Sequence, residues 1–135
     1  MLTQLNLTDL MAAVKAKAER SGLPVYDKVP VNTPSPLVYM QFISQKPADT
    51  KTMFCSDYEV WLHVIAEETE SSVPMFQYIA DVQEALTEDV VLPERFILVM
   101  QTNNGVQYTA TDPSGEQHAV LSYTFKVAYG FKCKN

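Results

Sequence analysis

The sequence predicts an α+β domain: an antiparallel or mixed β-sheet of about five strands with two α-helices packed on one face, in the order α-β-β-β-α-β-β. Three observations carry this reading. Apolar residues recur at helical spacing twice, over Leu7–Ala18 and over Val73–Leu86. Two other runs alternate with a period of two, Tyr58–Ile65 and Leu121–Phe131. Proline, glycine and asparagine clusters punctuate these runs, and no internal repeat or low-complexity tract interrupts them. A chain of 135 residues with 47% hydrophobic and 19% charged content can bury one core but is too short for two, so residues 1–135 read as a single domain.

Each element follows from local chemistry. Asn6 is placed to cap the first helix, with Asp9 reaching back from the third position and Leu5 and Leu10 spaced as a hydrophobic staple. Leu7, Leu10, Met11, Val14 and Ala18 form its apolar stripe, opposite Lys15, Lys17 and Glu19, and Gly22-Leu23-Pro24 ends it. Two extended runs follow, Val25–Pro30 and Pro36–Ile43, joined through Asn32-Thr33-Pro34-Ser35-Pro36 by a loop or a wide hairpin. The polar stretch Gln45–Thr52 contains Pro47 and reads as an exposed connection able to touch a neighbour.

The third strand sets Tyr58, Val60, Leu62 and Val64 against Glu59, Trp61, His63 and Ile65. The second of these faces is more apolar than solvent requires, which implies that something covers it. In the second helix Ser72 is the expected N-cap, Pro74 is tolerated in the first turn, and Val73, Phe76, Ile79, Ala80, Val82 and Leu86 form the buried stripe, with an end near Asp89. A fourth strand is expected over Phe96–Thr102, a tight turn at Asn103-Asn104-Gly105, and another alternating run from Val106 through Tyr108 and Ala110. Asp112-Pro113-Ser114-Gly115 is a further turn before the closing strand, which sets Leu121, Tyr123, Phe125, Val127, Tyr129 and Phe131 against Ser122, Thr124, Lys126, Ala128 and Gly130.

Composition excludes several functions. A net charge of −6 and a pI near 4.8 argue against a phosphate-gripping surface, because nucleic-acid binders gather Lys and Arg on one face. The acidic balance suits a channel wall past which DNA slides, and equally suits ordinary solubility. The longest apolar runs, such as Phe96–Met100, fall far short of a bilayer span, and the N-terminus lacks the pattern of a secretory leader, so a cytoplasmic chain is expected.

Cys55 and Cys133 have neither a CxxC spacing nor a histidine cluster beside them, so they read as two reduced thiols. The four glycines are scattered, which removes any phosphate loop. Cys55 with His63 is conceivable as a nucleophile and base on spacing alone, but a histidine on a mixed strand face is more often a surface or interface residue. Glu67, Glu68 and Glu70 lack the pattern of a calcium loop and read as a solvated cluster before a helix. Trp61 reads as packed against a helix or another subunit rather than stacked on a ligand. No catalytic residue, metal ligand or cofactor site is expected.

The segments Val25-Tyr26-Asp27-Lys28-Val29-Pro30 and Pro36-Leu37-Val38, the strand Tyr58–Ile65 and the helix ending Ala85-Leu86, in this order, resemble the tail-terminator or tail-completion (head-to-tail joining) family of long-tailed bacteriophages, the siphophages. The resemblance covers most of the chain. It implies a structural virion protein rather than an enzyme, found in the tail or neck and, during assembly, in the host cytoplasm. Its members form a ring, usually of six, that caps the tail tube, ends elongation and presents the docking surface for the head. The implied partners are further copies of the chain, the tail tube protein and a head-completion or connector protein, with DNA passing through the ring without sequence-specific binding and with no membrane involved. Candidate subunit contacts are Trp61, His63 and Ile65 on the third strand, with Lys46 in the Gln45–Thr52 loop and Asn104 in the Asn103–Gly105 turn. Two alternatives stand beside this: another neck or tail component, such as a head-completion or tube protein, or a small-ligand-binding α+β domain whose apolar pocket between sheet and helices is lined by Tyr39, Trp61 or Tyr123.

Overall fold

A computed structural model describes residues 2–132; Met1 and residues 133–135 lie outside it, and with them the expected free thiol of Cys133. The elements are α1 (Leu7–Ala18), extended by a 3-10 turn at Glu19–Ser21, then β1 (Val25–Tyr26), β2 (Leu37–Pro47), β3 (Met53–Ala66), α2 (Val73–Ala85), β4 (Ile97–Thr111) and β5 (Gln117–Phe131). One sheet contains all five strands in the spatial order β1-β2-β3-β5-β4. Only the β1–β2 pair is parallel, so the sheet is mixed, as expected.

Both helices lie on the same face. Leu10, Val14 and Ala18 of α1 and Met75, Ile79 and Val82 of α2 share one hydrophobic cluster with Val38 and Met40 of β2, Tyr58, Val60, Leu62 and Val64 of β3, and Leu121, Tyr123, Phe125 and Val127 of β5. These are the alternate residues that period-two pleating directs to one side. The Asn6 side chain accepts a hydrogen bond from the Thr8 amide at 2.8 Å, and Gly22 takes the left-handed φ of 91° that closes the 3-10 turn.

Several boundaries and faces differ from the sequence expectation, each for a physical reason. Leu7 is exposed, because the α1 stripe that reaches the sheet is Leu10, Val14 and Ala18. In α2 the buried line is Met75, Ile79, Val82 and the capping Leu86, whereas Val73 and Phe76 are 68% and 60% exposed. The helix ends at Ala85 rather than near Asp89. Gln101 stops it there: its Nε2 donates to the carbonyls of Leu86 and Glu88 at 2.9 and 3.0 Å, and its Oε1 accepts from the Val90 amide at 2.9 Å. Ser72 makes no side-chain cap; the Ser71 hydroxyl accepts from the Val73 amide instead, at 3.1 Å.

β1 ends at Tyr26 rather than Pro30 and is parallel to β2, so the link between them is a crossing loop and not a hairpin. β2 continues to Pro47, pairing Gln45 with Tyr58, Lys46 with Asp57 and Pro47 with Ser56. The expected loop from Gln45 therefore shrinks to the turn after Pro47. That turn is closed by Ala48 N–H to Cys55 O at 2.9 Å, Thr50 N–H to Met53 O at 3.0 Å, and the Asp49 carboxylate accepting from the Cys55 amide at 2.9 Å.

Asn103-Asn104-Gly105 is not a hairpin turn. β4 runs unbroken through it, with register shifts against β5 at Leu98/Met100, Asn103/Gly105 and Val106/Tyr108, and Gly105 holds φ at 87°. The long β5 pairs with both halves of β4, so the left-handed glycine bends one strand as a bulge instead of joining two. The hairpin lies at Asp112-Pro113-Ser114-Gly115, where the Asp112 carboxylate accepts from the Ser114 and Glu116 amides at 2.9 and 3.1 Å.

Inside the core, the Tyr123 hydroxyl is buried with no hydrogen-bond partner among the described residues, and burial pushes its pKa up to about 12. An unpaired buried hydroxyl costs about 1–3 kcal/mol. Tyr123→Phe is expected to leave stability unchanged or raise it by about 1 kcal/mol, and a urea midpoint lower than that of the parent would show that the hydroxyl is satisfied after all.

Candidate subunit interface

The helix-free face of the sheet carries the side chains that the sequence singles out. Trp61, His63 and Ile65 stand on it together on β3, next to Gln41 and Tyr39 of β2 and His118, Val120 and Ser122 of β5 by strand register. Two polar chains cross it.

The first runs from Gln41 through His63 to His118. His63 Nε2 lies 2.7 Å from Gln41 Oε1, and His63 Nδ1 lies 2.9 Å from His118 Nε2. The amide oxygen can only accept, so His63 Nε2 carries the proton, and His118 Nε2–H donates to His63 Nδ1; these tautomers are assigned from the network. Tyr39 stacks on the His63 ring at 4.2 Å and 4°, and Tyr108 of β4 meets His118 edge-on at 6.0 Å. His63 is 5% exposed. Burial, reinforced by the neighbouring His118, holds its imidazole down at about 4, and burial lowers His118 too although the Asp112 carboxylate pulls the other way.

The second chain runs from Trp61 to Thr124. Trp61 Nε1–H and the Ser122 hydroxyl both donate to Glu59 Oε2, at 2.8 and 2.9 Å, and Asn104 Nδ2 donates to Ser122 Oγ and Thr124 Oγ1 at 3.0 and 2.8 Å. The Trp61 ring is thereby fixed while still partly exposed, as is Ile65. Asn104 sits in β4 rather than in a loop, and its amide is committed to β5. Lys46 sits in β2 rather than in a loop, at the far end of the same face, beside Ser44, Asp57 and Glu59 around a shallow groove of about 150 Å³.

No single segment of the sequence ties His118, Gln41, Tyr108, Glu59 and Ser122 into one arrangement. Carrying the β5 alternation back past Leu121 would have put Val120 and His118 on the same side as Ser122 and Thr124, and antiparallel pairing with β3 would then have brought His118 to His63.

The pocket between sheet and helices does not form as imagined. Tyr39 and Trp61 stand on the helix-free face and Tyr123 under the helices, so the sheet separates them. An open groove of about 400 Å³ lies beside α1 instead, lined by residues including Leu7, Met11, Lys15, Asp27 and Met40. Cys55 is buried and lies eight positions from His63 on the same strand, roughly 26 Å away, too far for them to act as a pair. Among the described residues no three His, Cys, Asp or Glu side chains converge as metal ligands, and no helix is long and apolar enough to cross a membrane. Glu67 accepts from the Tyr78 hydroxyl at 2.8 Å.

A solved chain from the "Virion of native gene transfer agent (GTA) particle" superposes with a TM-score of 0.66 at 23% identity, over 90% of this chain and 96% of that one, which shows a shared fold. The sequence matches no curated protein. Residues 1–135 match the family described as "Putative tail termination protein". The chain belongs to this phage tail terminator family and is a structural protein of a phage tail.

Proposed function

We propose that the protein caps the tail tube as an oligomeric ring of six copies, ends tail elongation, and presents the surface on which the head connector docks. The observation that carries this reading is the family match along the whole chain. Its partners are then further copies of itself, the tail tube protein and a head-completion or connector protein, and it works in the host cytoplasm before it stays in the neck of the virion. A net charge of −6 is consistent with DNA passing through the ring without being held.

Within that assembly, Trp61 and Ile65 are the side chains we assign to contact with a neighbouring subunit, in the ring or in the tube beneath it. A ring closes only through heterologous contacts, one patch meeting a different patch on the next copy. A rigid aromatic anchor with an aliphatic neighbour fits the composition of such contacts. Lys46 stands at the end of the same face and supplies a rim charge. His63 acts from beneath: it holds Tyr39 and His118 in place. Asn104, committed to Ser122 and Thr124, shapes β4.

Trp61→Ala and Ile65→Asp are each expected to weaken ring or cap formation at least tenfold while leaving far-UV CD unchanged. Mass photometry and negative-stain imaging over a concentration series, with and without isolated tail tubes, read this out. Rings and caps formed normally by both variants would remove the face from the interface.

A further inference from the structure

The sheet has two open edges, and they match. β1 covers β2 at Val38 and Tyr39 and its ladder reaches no further than Met40, so from Gln41 to Pro47 the outer side of β2 has no strand partner within the described chain. β4 forms the opposite edge over its full length, pairing only with β5.

The strand registers show where these free stretches lie. Lys46 pairs with Asp57, Asp57 with Lys126, and Lys126 with Met100. One row further in, Ser44, Glu59, Thr124 and Thr102 align in the same way. The last residues of β2, Ser44–Pro47, therefore stand level with Leu98–Thr102 of β4, at one end of the sheet, while Phe42 and Gln41 stand level with Asn103 and Gly105. At the other end the β1-covered residue Tyr39 is level, through His63 and Val120, with Tyr108. β4 is bulged in both halves, once between Leu98 and Met100 and twice from Asn103 on, and in the second half the Gln107 amide also donates to the carbonyls of Asn104 and Gly105 at 3.3 and 3.2 Å, which blunts that half for further pairing. The end of β2 that β1 leaves open is thus level with the half of β4 that the Gln107 amide does not blunt.

Direction and chemistry agree with level. Each strand from β2 to β4 is antiparallel to its neighbour, so β4 runs opposite to β2. A second copy displaced along the sheet would thus present its β2 to β4 in the antiparallel sense. The open half of β4 also exposes Ile97, Val99 and Met100, by 44%, 36% and 59%, an apolar edge of the kind that soluble proteins ordinarily protect.

We propose that Val99–Thr102 of β4 pairs antiparallel with Ser44–Pro47 of β2 in the next copy, so that the sheet continues from subunit to subunit. The proposal rests on the ring reading and says which surfaces close the ring. The contact is heterologous: β4 of one copy meets β2 of the next, and each copy keeps one free edge of each kind until the ring shuts. Backbone hydrogen bonds supply the attachment, and alternate side chains set the register, placing Met100 opposite Lys46 and Thr102 opposite Ser44 on the helix-free face.

Cysteine cross-linking tests this. Two double variants, Met100→Cys with Lys46→Cys and Thr102→Cys with Ser44→Cys, are made with Cys133→Ser, leaving the buried Cys55 in place. Directly opposed residues on paired strands have Cβ atoms about 4.5–5.5 Å apart, within reach of a disulfide after a small adjustment. Mild oxidation, alone and with tail tubes, is expected to give a ladder of covalent oligomers in at least one double variant and only dimers or monomers in the single-cysteine controls. Rings visible in the microscope with no ladder from either pair would overturn the edge pairing and leave the ring reading standing. No rings under any condition, from folded protein, would overturn both.

Discussion

Replacing Phe125 by Ala is expected to cost about 3–5 kcal/mol of stability, a large share of what a domain of this size has. Phe125 is fully buried near the middle of β5, the strand on which β3 and β4 both pair. Its ring lies 6.5 Å from that of Tyr123, and its register partners are Tyr58 on β3 and Gln101 on β4. Gln101 also tethers the end of α2, so a void at Phe125 opens beside the residue that fixes the helix exit. The main-chain ladders on both sides hold β5 in place and limit how far the surroundings can collapse into the cavity, which puts the loss at the upper part of the range for such truncations. Urea unfolding measures it. Phe131→Ala supplies the contrast: it truncates the same side chain on the same strand, but at a site 59% exposed, and is expected to change stability by no more than about 0.5 kcal/mol. Equal losses from the two would mean that the core is not centred on β5.

The sequence made β3, β5 and the two helices visible because each element there is long, periodic and decided by its own residues. Tyr58, Val60, Leu62 and Val64 face the helices as their alternation requires, and Leu10, Val14 and Ala18 do so from α1. Where partners decide the outcome, local signals misled. Asn104-Gly105 has the chemistry of a tight turn, but it lies beside a 15-residue β5 that pairs with both sides of it, and the ladder overrode the turn. Pro47 suggested a loop, yet proline is tolerated at the end of a strand and β2 uses it there. In α2 the expected and the true stripe share Ile79, Val82 and Leu86, but Met75 stands in place of Val73, Phe76 and Ala80, and only contact with the sheet selects between them. The candidate interface was partly legible for the same reason: Trp61, His63 and Ile65 follow from one strand's alternation, whereas the partners of His63 on β2 and β5 follow from register, which no single segment encodes.

Register also creates the second large effect, a loss of stability in mild acid. With His63 held at about 4 in the folded protein and near 6.5 once unfolded, the unfolded chain takes up a proton in that interval that the folded chain refuses. The sign follows: the contribution is fully present above about pH 6.5, declines as pH falls, and is gone below about 4. The interval corresponds to about 3 kcal/mol at most, with His118 adding in the same direction because its pKa is also lowered. The groups that face the pair are Tyr39 and Gln41 from β2, Trp61 from β3, Tyr108 from β4 and the Asp112 carboxylate from the hairpin. Only Asp112 would favour a protonated imidazole, and it acts on His118. A second proton on His63 would put two N–H groups nose to nose across 2.9 Å unless His118 changed its tautomer, so acid both removes a hydrogen bond and charges a buried ring. Urea midpoints measured from pH 7.5 down to 4.0 are expected to fall steadily, and His63→Gln, which cannot titrate, is expected to flatten that fall by at least half even if it starts from a lower stability. The same slope in the variant as in the parent would assign the acid sensitivity to the carboxylates and leave the histidine pair a purely geometric element of the face.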